Sequence, residues 1–217
     1  AFYVEGFEYP YDALREVTAH GFSNATTDKD DVVRHGLLSL EYDGEEIYSF
    51  SYQTYLEYMK FLGKDPYVPK VDDMNLYGIR YIAQPQNYET CSWADVMNGE
   101  RPLSTFKDCV VLIGAYTEGM MDQYQVPISS KGLMYGVEIH ANIVDSFCRG
   151  YSYEMADIRL VTGINIALCF LFLLILYKAN LLISIGSFVI FSGGYVWTSV
   201  RLYEKGQYVY PFGFVVA

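Results

Sequence analysis

The side chains best suited to chemistry lie in two short stretches, Gly114 to Asp122 and Gly136 to Arg149. The first is a loop of small and polar residues that includes Gly114, Thr117 and Asp122. The second, GVEIHANIVDSFCR, carries Glu138, His140 and Asn142. A carboxylate, an imidazole and a carboxamide can together position a polar ligand, and a histidine near a carboxylate can also serve as an acid or base. Projected at about 100° per residue, the second stretch separates two helical faces. Val137, Ile139, Ala141, Ile143, Val144, Phe147 and Cys148 share an apolar arc, with His140 inside it. Glu138, Asn142, Asp145 and Arg149 share the other arc, which reads as a solvated face. Glu138 and His140 therefore point apart, which argues against their acting as a catalytic pair. A histidine on an apolar face has two readings, a structural ring satisfied by neighbouring polar groups, or a ligand-contacting or pH-sensing one.

Other chemistries find no matching motif. The chain has three His and four Cys, with no His-x-x-x-His or Cys-x-x-Cys pair, so no metal site is expected. No Walker loop, nucleophile elbow or dinucleotide fingerprint occurs, and no cofactor is expected. Asp28-Lys29-Asp30 opens like a calcium loop but lacks its glycine and closing glutamate. Cys91, Cys109 and Cys148 are an odd number outside the apolar tail. Cys109 and Cys148 sit at apolar positions, so buried thiols are expected, with one disulfide as the alternative.

The elements that must position these residues follow from patterning. Cys109 to Ile113 (CVVLI), closed by Gly114, reads as a short strand buried on both faces of a parallel arrangement. The Gly114–Asp122 loop would leave its carboxyl end, where α/β sheets bind ligands. Residues 136–149 follow as an amphipathic helix. Earlier, Tyr11 to Ala19 reads as a helix, and VVRHGLLSLEYDGEEIYSF as two strands turning at Asp43-Gly44. Tyr52 to Leu62 reads as a helix closed by Pro66 and Pro69, Leu76 to Ile82 as a strand, and Trp93 to Met97 as a short helix. Strands alternating with helices predict an α/β domain with a mixed sheet. The 22 tyrosines fit core and rim positions better than a sugar-binding surface.

The 217 residues carry 15 Lys+Arg against 26 Asp+Glu, a net charge of -11, which disfavours nucleic acid as a partner. That charge is unevenly distributed. Residues 1–157 sum to -14 and residues 158–217 to +3. Leu160 to Tyr177 is an uncharged run of 18 residues, twelve of them Leu, Ile, Val or Phe. As a helix it would extend about 27 Å, close to a bilayer core. A second uncharged run, Ala179 to Val200, follows Lys178, and Gly186, Gly193 and Gly194 within it suit close helix packing. These predict a transmembrane hairpin over about 160–177 and 180–200, turning near Asn180, with a third span opening at Tyr208. Both ends of the chain read as boundaries of a fragment. The Lys and Arg positions do not decide orientation.

The sequence resembles the second type of CHASE domain, the sensory extracellular domains associated with bacterial cyclases and histidine kinases. The resemblance is carried by Val110-Val111-Leu112-Ile113-Gly114-Ala115, then Asp122 and Pro127, then Gly136-Val137-Glu138-Ile139-His140-Ala141-Asn142. Gly21-Phe22-Ser23-Asn24 and Asp28-Lys29-Asp30-Asp31-Val32-Val33-Arg34 also fit, while Asp31 and Val126 stand where Gly and Thr are expected. The resemblance implies an extracytoplasmic sensor over 1–157 on a multi-pass membrane anchor over 158–217, with the Lys178 turn inside. A cyclase, kinase or other output domain would lie beyond the third span. The expected partners are a small-molecule or ion ligand, the membrane and a second copy of the chain. The expected ligand residues are Gly114, Thr117, Asp122, Glu138, His140 and Asn142, and no catalytic residue is expected. The alternatives are a membrane-anchored assembly module and an anchored enzyme using Asp122, Glu138 and His140.

Overall fold

A computed structural model describes residues 6–128, 132–153 and 158–204. In chain order the elements are α1 (Asp12–Arg15), β1 (His35–Leu37), β2 (Ser39–Tyr42), β3 (Glu45–Tyr48), α2 (Phe50–Leu62), β4 (Leu76–Gly78), α3 (Trp93–Met97), β5 (Gln123–Tyr124), β6 (Met134–Tyr135), α4 (Gly136–Cys148), α5 (Ile158–Lys178) and α6 (Leu181–Glu204). Tertiary contacts divide the chain into two units, Ala1–Ser152 and Tyr153–Ala217.

The first unit is α/β, but its strands do not form the single mixed sheet expected. They form three antiparallel pairs, β1 with β4, β2 with β3, and β5 with β6. Among the described residues, parallel pairing appears as two isolated bridges, Phe22 with Ser49 and Val32 with Gln125. The Asp-Gly hairpin forms as expected, with Asp43 and Gly44 both at positive φ (53° and 79°), the geometry that matches strand twist. Asp31, standing where the family pattern has Gly, adopts φ 60°, so the tight turn there is kept by a residue less suited to it. The helix expected over 11–19 shrinks to Asp12–Arg15. None of its residues is buried, and so short a helix has little else to hold it.

The larger elements follow the apolar pattern. Helix α2 ends at Gly63, in the left-handed conformation, three residues before Pro66. Its buried face packs on α4. Between them the Phe147 ring touches Tyr52, Tyr55 and Tyr77 at centroid distances of 5.6, 5.6 and 5.1 Å. Met134, Ile139 and Ile143 complete this core. The tyrosines are therefore largely structural, and the Tyr55 hydroxyl accepts the Tyr67 amide at 2.6 Å. The strand expected over 76–82 stops at Gly78, whereas α3 spans the residues expected of it.

The segment Cys109–Ile113 departs furthest from its sequence pattern. It is neither a strand nor buried: Val111 is 50% and Ile113 69% exposed. A strand requires a neighbour, and among the described residues the amides of Val110 to Ile113 find no backbone acceptor. Cys91, Cys109 and Cys148 are exposed free thiols, not the buried ones expected, because the elements carrying them leave those positions uncovered.

In the second unit α5 and α6 pack together, with Phe172 and Phe188 in ring contact at 5.6 Å. The Asn180 side chain accepts the Ile183 amide at 3.0 Å and so caps α6 at the expected turn. The segment Leu181–Tyr203 is long and apolar enough to cross a membrane, and Thr162–Lys178 is a shorter apolar helix. Gly186, Gly193 and Gly194 face open space among the described residues, so the close packing expected of them is not made. The third run, from Tyr208, lies outside the described residues.

Candidate functional site

A half-open cavity of about 430 Å³ lies within the first unit. Five stretches of chain meet around it: the segment 21–26, strand β1 with Tyr77 of β4, the first turn of α2, Leu112 to Gly114, and the N-terminal half of α4 with Asp122. Pairing of β5 with β6 (Gln123 opposite Tyr135) brings Asp122 back to the start of α4, where the Gly136 amide donates to the Asp122 carbonyl at 3.0 Å. Gly136 is required by this approach. A Cβ there would lie 2.5 and 2.6 Å from the two carboxylate oxygens of Asp122. The carboxylate thus sits at the positive end of α4, where the helix dipole favours it. Gly114 likewise lets the loop close on α4, since a Cβ there would come within 2.8 Å of the Val137 Cβ.

His140 projects from α4 into the same cavity. Its Nδ1 is 2.7 Å from the Ser51 hydroxyl, and its ring meets Phe50 edge-on at 5.1 Å. Burial pushes the imidazole below the ordinary histidine range, opposed by the Asp122 carboxylate and by the Ser23 backbone. The ring is therefore favoured in its neutral form and clamped between α2 and the 21–26 segment. It is both the structural histidine and a cavity-lining one, so the two readings of its position are compatible.

The six expected site residues divide accordingly. Gly114, Asp122 and His140 line the cavity. Thr117 does not; it is exposed, and its carbonyl accepts the Met120 amide in the turn 117–120. Glu138 and Asn142 lie on the opposite face of α4, and that face is not solvated. Glu138 is 2% exposed and Asn142 0%. The Asn142 carboxamide oxygen accepts the amides of Ile82 and Ala83, both at 2.9 Å. Glu138 accepts the Gln86 amide at 2.7 Å, the Tyr135 amide at 3.2 Å and the Tyr116 hydroxyl at 3.3 Å. The polar stripe is covered by residues 82–86, whose backbone it satisfies. Only its C-terminal end, the Asp145–Arg149 ion pair at 2.8 Å, remains towards solvent.

The sequence reading missed the contribution of the first 51 residues. Phe22, Ser23, Thr26, His35 and Ser51 all line the cavity. The family-like run Gly21-Phe22-Ser23-Asn24 was the available signal. The Asp28/Asp30 pair also finds its role here. Arg34 donates to both carboxylates at 2.8 Å, and Asp28 holds His35 Nδ1 at 2.8 Å on the cavity wall. Arg34 lowers the Asp30 carboxyl to about 2. No group of three or more metal-ligating side chains converges among the described residues.

A cavity of this size, with one carboxylate and two engaged imidazoles on its wall, falls in the usual range of small-molecule sites. The first unit is thus an α/β domain with a cavity, and an apolar helical pair follows it in the chain. A family model for the CHASE2 domain matches residues 7–177, and the chain belongs to that family of extracellular sensory domains. The family is sensory and not catalytic. No curated protein and no solved structure matches the chain.

Proposed function

We propose that residues 1–157 are the ligand-sensing extracytoplasmic domain of a multi-pass membrane receptor and that residues 158–217 anchor it. In this reading α5 and α6 form a transmembrane hairpin whose Lys178 turn is cytoplasmic. A third span opens near Tyr208, and an output domain (a nucleotide cyclase or a kinase) lies beyond. The supporting observation is the cavity itself. In a chain of a sensory family, three residues selected for their chemistry, Gly114, Asp122 and His140, converge on one half-open cavity. Thr117, Glu138 and Asn142 act around that site, the last two by holding α4 to the 82–86 segment.

A sensor works when its ligand binds one of two states better than the other. Helix α4 suits this role because its first two turns line the cavity and its last residue is only ten positions before α5. Gly150, at φ 69°, closes the intervening turn. The receptor operates as a homodimer in this reading, which gives each anchor a partner in the membrane.

The test is thermal unfolding of the full chain in detergent against a panel of metabolites and ions. A ligand at a hundredfold excess over its dissociation constant stabilises the native state by about 2.7 kcal/mol. A shift abolished by Ala25→Trp, which fills the cavity wall, supports the site. Shifts indifferent to that substitution would remove it. A midpoint that depends only on protein concentration would favour the assembly module instead.

A further inference from the structure

The walls of the cavity also restrict what can enter it. We propose that it takes a small organic cation, a protonated amine on an apolar body, with Asp122 as its charge partner. This rests on the cavity being the ligand site, and it goes further by naming the ligand class.

The argument is one of charge balance in a confined volume. Asp122 is the one carboxylate on the wall, and no Lys or Arg lines it among the described residues. Of the two histidines present, His140 is held by Ser51 and disfavours a charge on burial, while His35 is engaged by Asp28. Arg34, the nearest cation in sequence, is tied to Asp28 and Asp30. A carboxylate or phosphate ligand would therefore lose its water beside Asp122 with no cation to replace it. Among the described residues the Tyr124 hydroxyl and the start of α4 offset the Asp122 charge, and a neutral ligand would add nothing to them. A cation gains a charge-assisted bond there, and the Phe50 ring stands on the same wall. The remaining wall mixes Val, Leu and Ile with the hydroxyls of Ser23, Thr26 and Ser49, so the body of the ligand is apolar where it meets Ile79, Leu112 and Ile139.

Three probes of one shape and different charge decide the matter: phenethylamine, phenethyl alcohol and phenylacetate, titrated calorimetrically into the full chain in detergent at neutral pH. The amine is expected to bind about tenfold tighter than the alcohol, with phenylacetate weakest. In Asp122→Asn the gap between amine and alcohol should close while alcohol binding persists. Phenylacetate binding as tightly as the amine would overturn the proposal, and so would a gap that survives Asp122→Asn. Should the Asn variant fail to fold, the ranking on the unaltered protein decides alone. The cavity reading is tested separately by the alcohol. Alcohol binding that Ala25→Trp abolishes, without preference for the amine, keeps the cavity and refutes the cation. No binding of any probe refutes both.

Discussion

Two strips of the first unit, the polar stripe of α4 and the segment Cys109–Ile113, each invert the burial that their composition implies. On α4, Glu138 and Asn142 are polar and buried. On Cys109–Ile113, Val110, Val111 and Ile113 are apolar and exposed. Both outcomes follow from hydrogen bonding. The α4 side chains are buried because residues 82–86 present amides that need acceptors, and an acceptor supplied by a helix satisfies them. The 109–113 strip is exposed because, among the described residues, no second strand supplies its backbone partners. Composition registers transfer from water, but burial is granted only where the backbone groups are also accounted for.

The largest test of this contrast is Asn142→Ala. The substitution strands the amides of Ile82 and Ala83 and leaves a void in the tightest part of the unit. Each orphaned amide costs about 1–3 kcal/mol, so a loss of about 2–4 kcal/mol in urea unfolding is expected. A change under about 0.5 kcal/mol would show that the 82–86 cover is dispensable and that the stripe is a solvated face after all.

Gly136→Ala probes the junction of α4 with the loop that carries Asp122. The new methyl collides with the Asp122 carboxylate, so the loop must move away from α4. Overpacking of this kind costs about 1–3 kcal/mol, partly offset by the better helix propensity of alanine. A net loss of about 1–2 kcal/mol is expected, together with loss of amine binding. Retained stability and binding would mean that the loop is not held where Gly136 places it.

His140 gives a smaller effect, one visible only against pH. Burial lowers its folded-state pKa below the ordinary value of 6.5, so the unfolded chain binds the proton more readily. The histidine's contribution to stability is complete above pH 6.5. It is lost as pH falls from there towards the lowered folded value, and then levels off. In paired urea titrations from pH 8 to 5, the wild type should lose more stability than His140→Gln, by under about 1 kcal/mol. Parallel profiles would place His140 in contact with water.

The sequence made the periodic parts of this unit legible. The helices at 50–62, 93–97 and 136–148 and the Asp43-Gly44 hairpin follow from apolar spacing and turn chemistry, both local properties. Three of the six expected ligand residues share the cavity for the same reason, since Asp122, Gly114 and His140 belong to elements close in the chain. Tertiary choices were illegible. The covering of Glu138 by residues 82–86 links positions 52 apart, and Ile82-Ala83-Gln84-Pro85-Gln86 carries no pattern that announces a cover. That no described strand pairs with Cys109–Ile113 is likewise a tertiary matter. The wall formed by residues 21–51 meets α4 through Ser51 and His140, 89 positions apart, and only the fold could disclose it.

The smallest expected effect falls on the other strip and is the most informative if it fails. Ile113→Lys places a charge where the side chain is already 69% exposed, and the lysine stem can lie along the surface while its ammonium stays in water. Surface substitutions of this kind usually change stability by less than about 0.5 kcal/mol, and that is the expected result in urea unfolding. Binding should respond more than stability does. Ile113 lines the cavity, so an ammonium at its edge would repel a cationic ligand while leaving the neutral alcohol nearly unaffected. A loss of several kcal/mol in stability would instead mean that Cys109–Ile113 is covered in solution as the strand its composition describes. The contrast between the two strips would then collapse: polar burial on α4 would remain, but apolar exposure at Cys109–Ile113 would not.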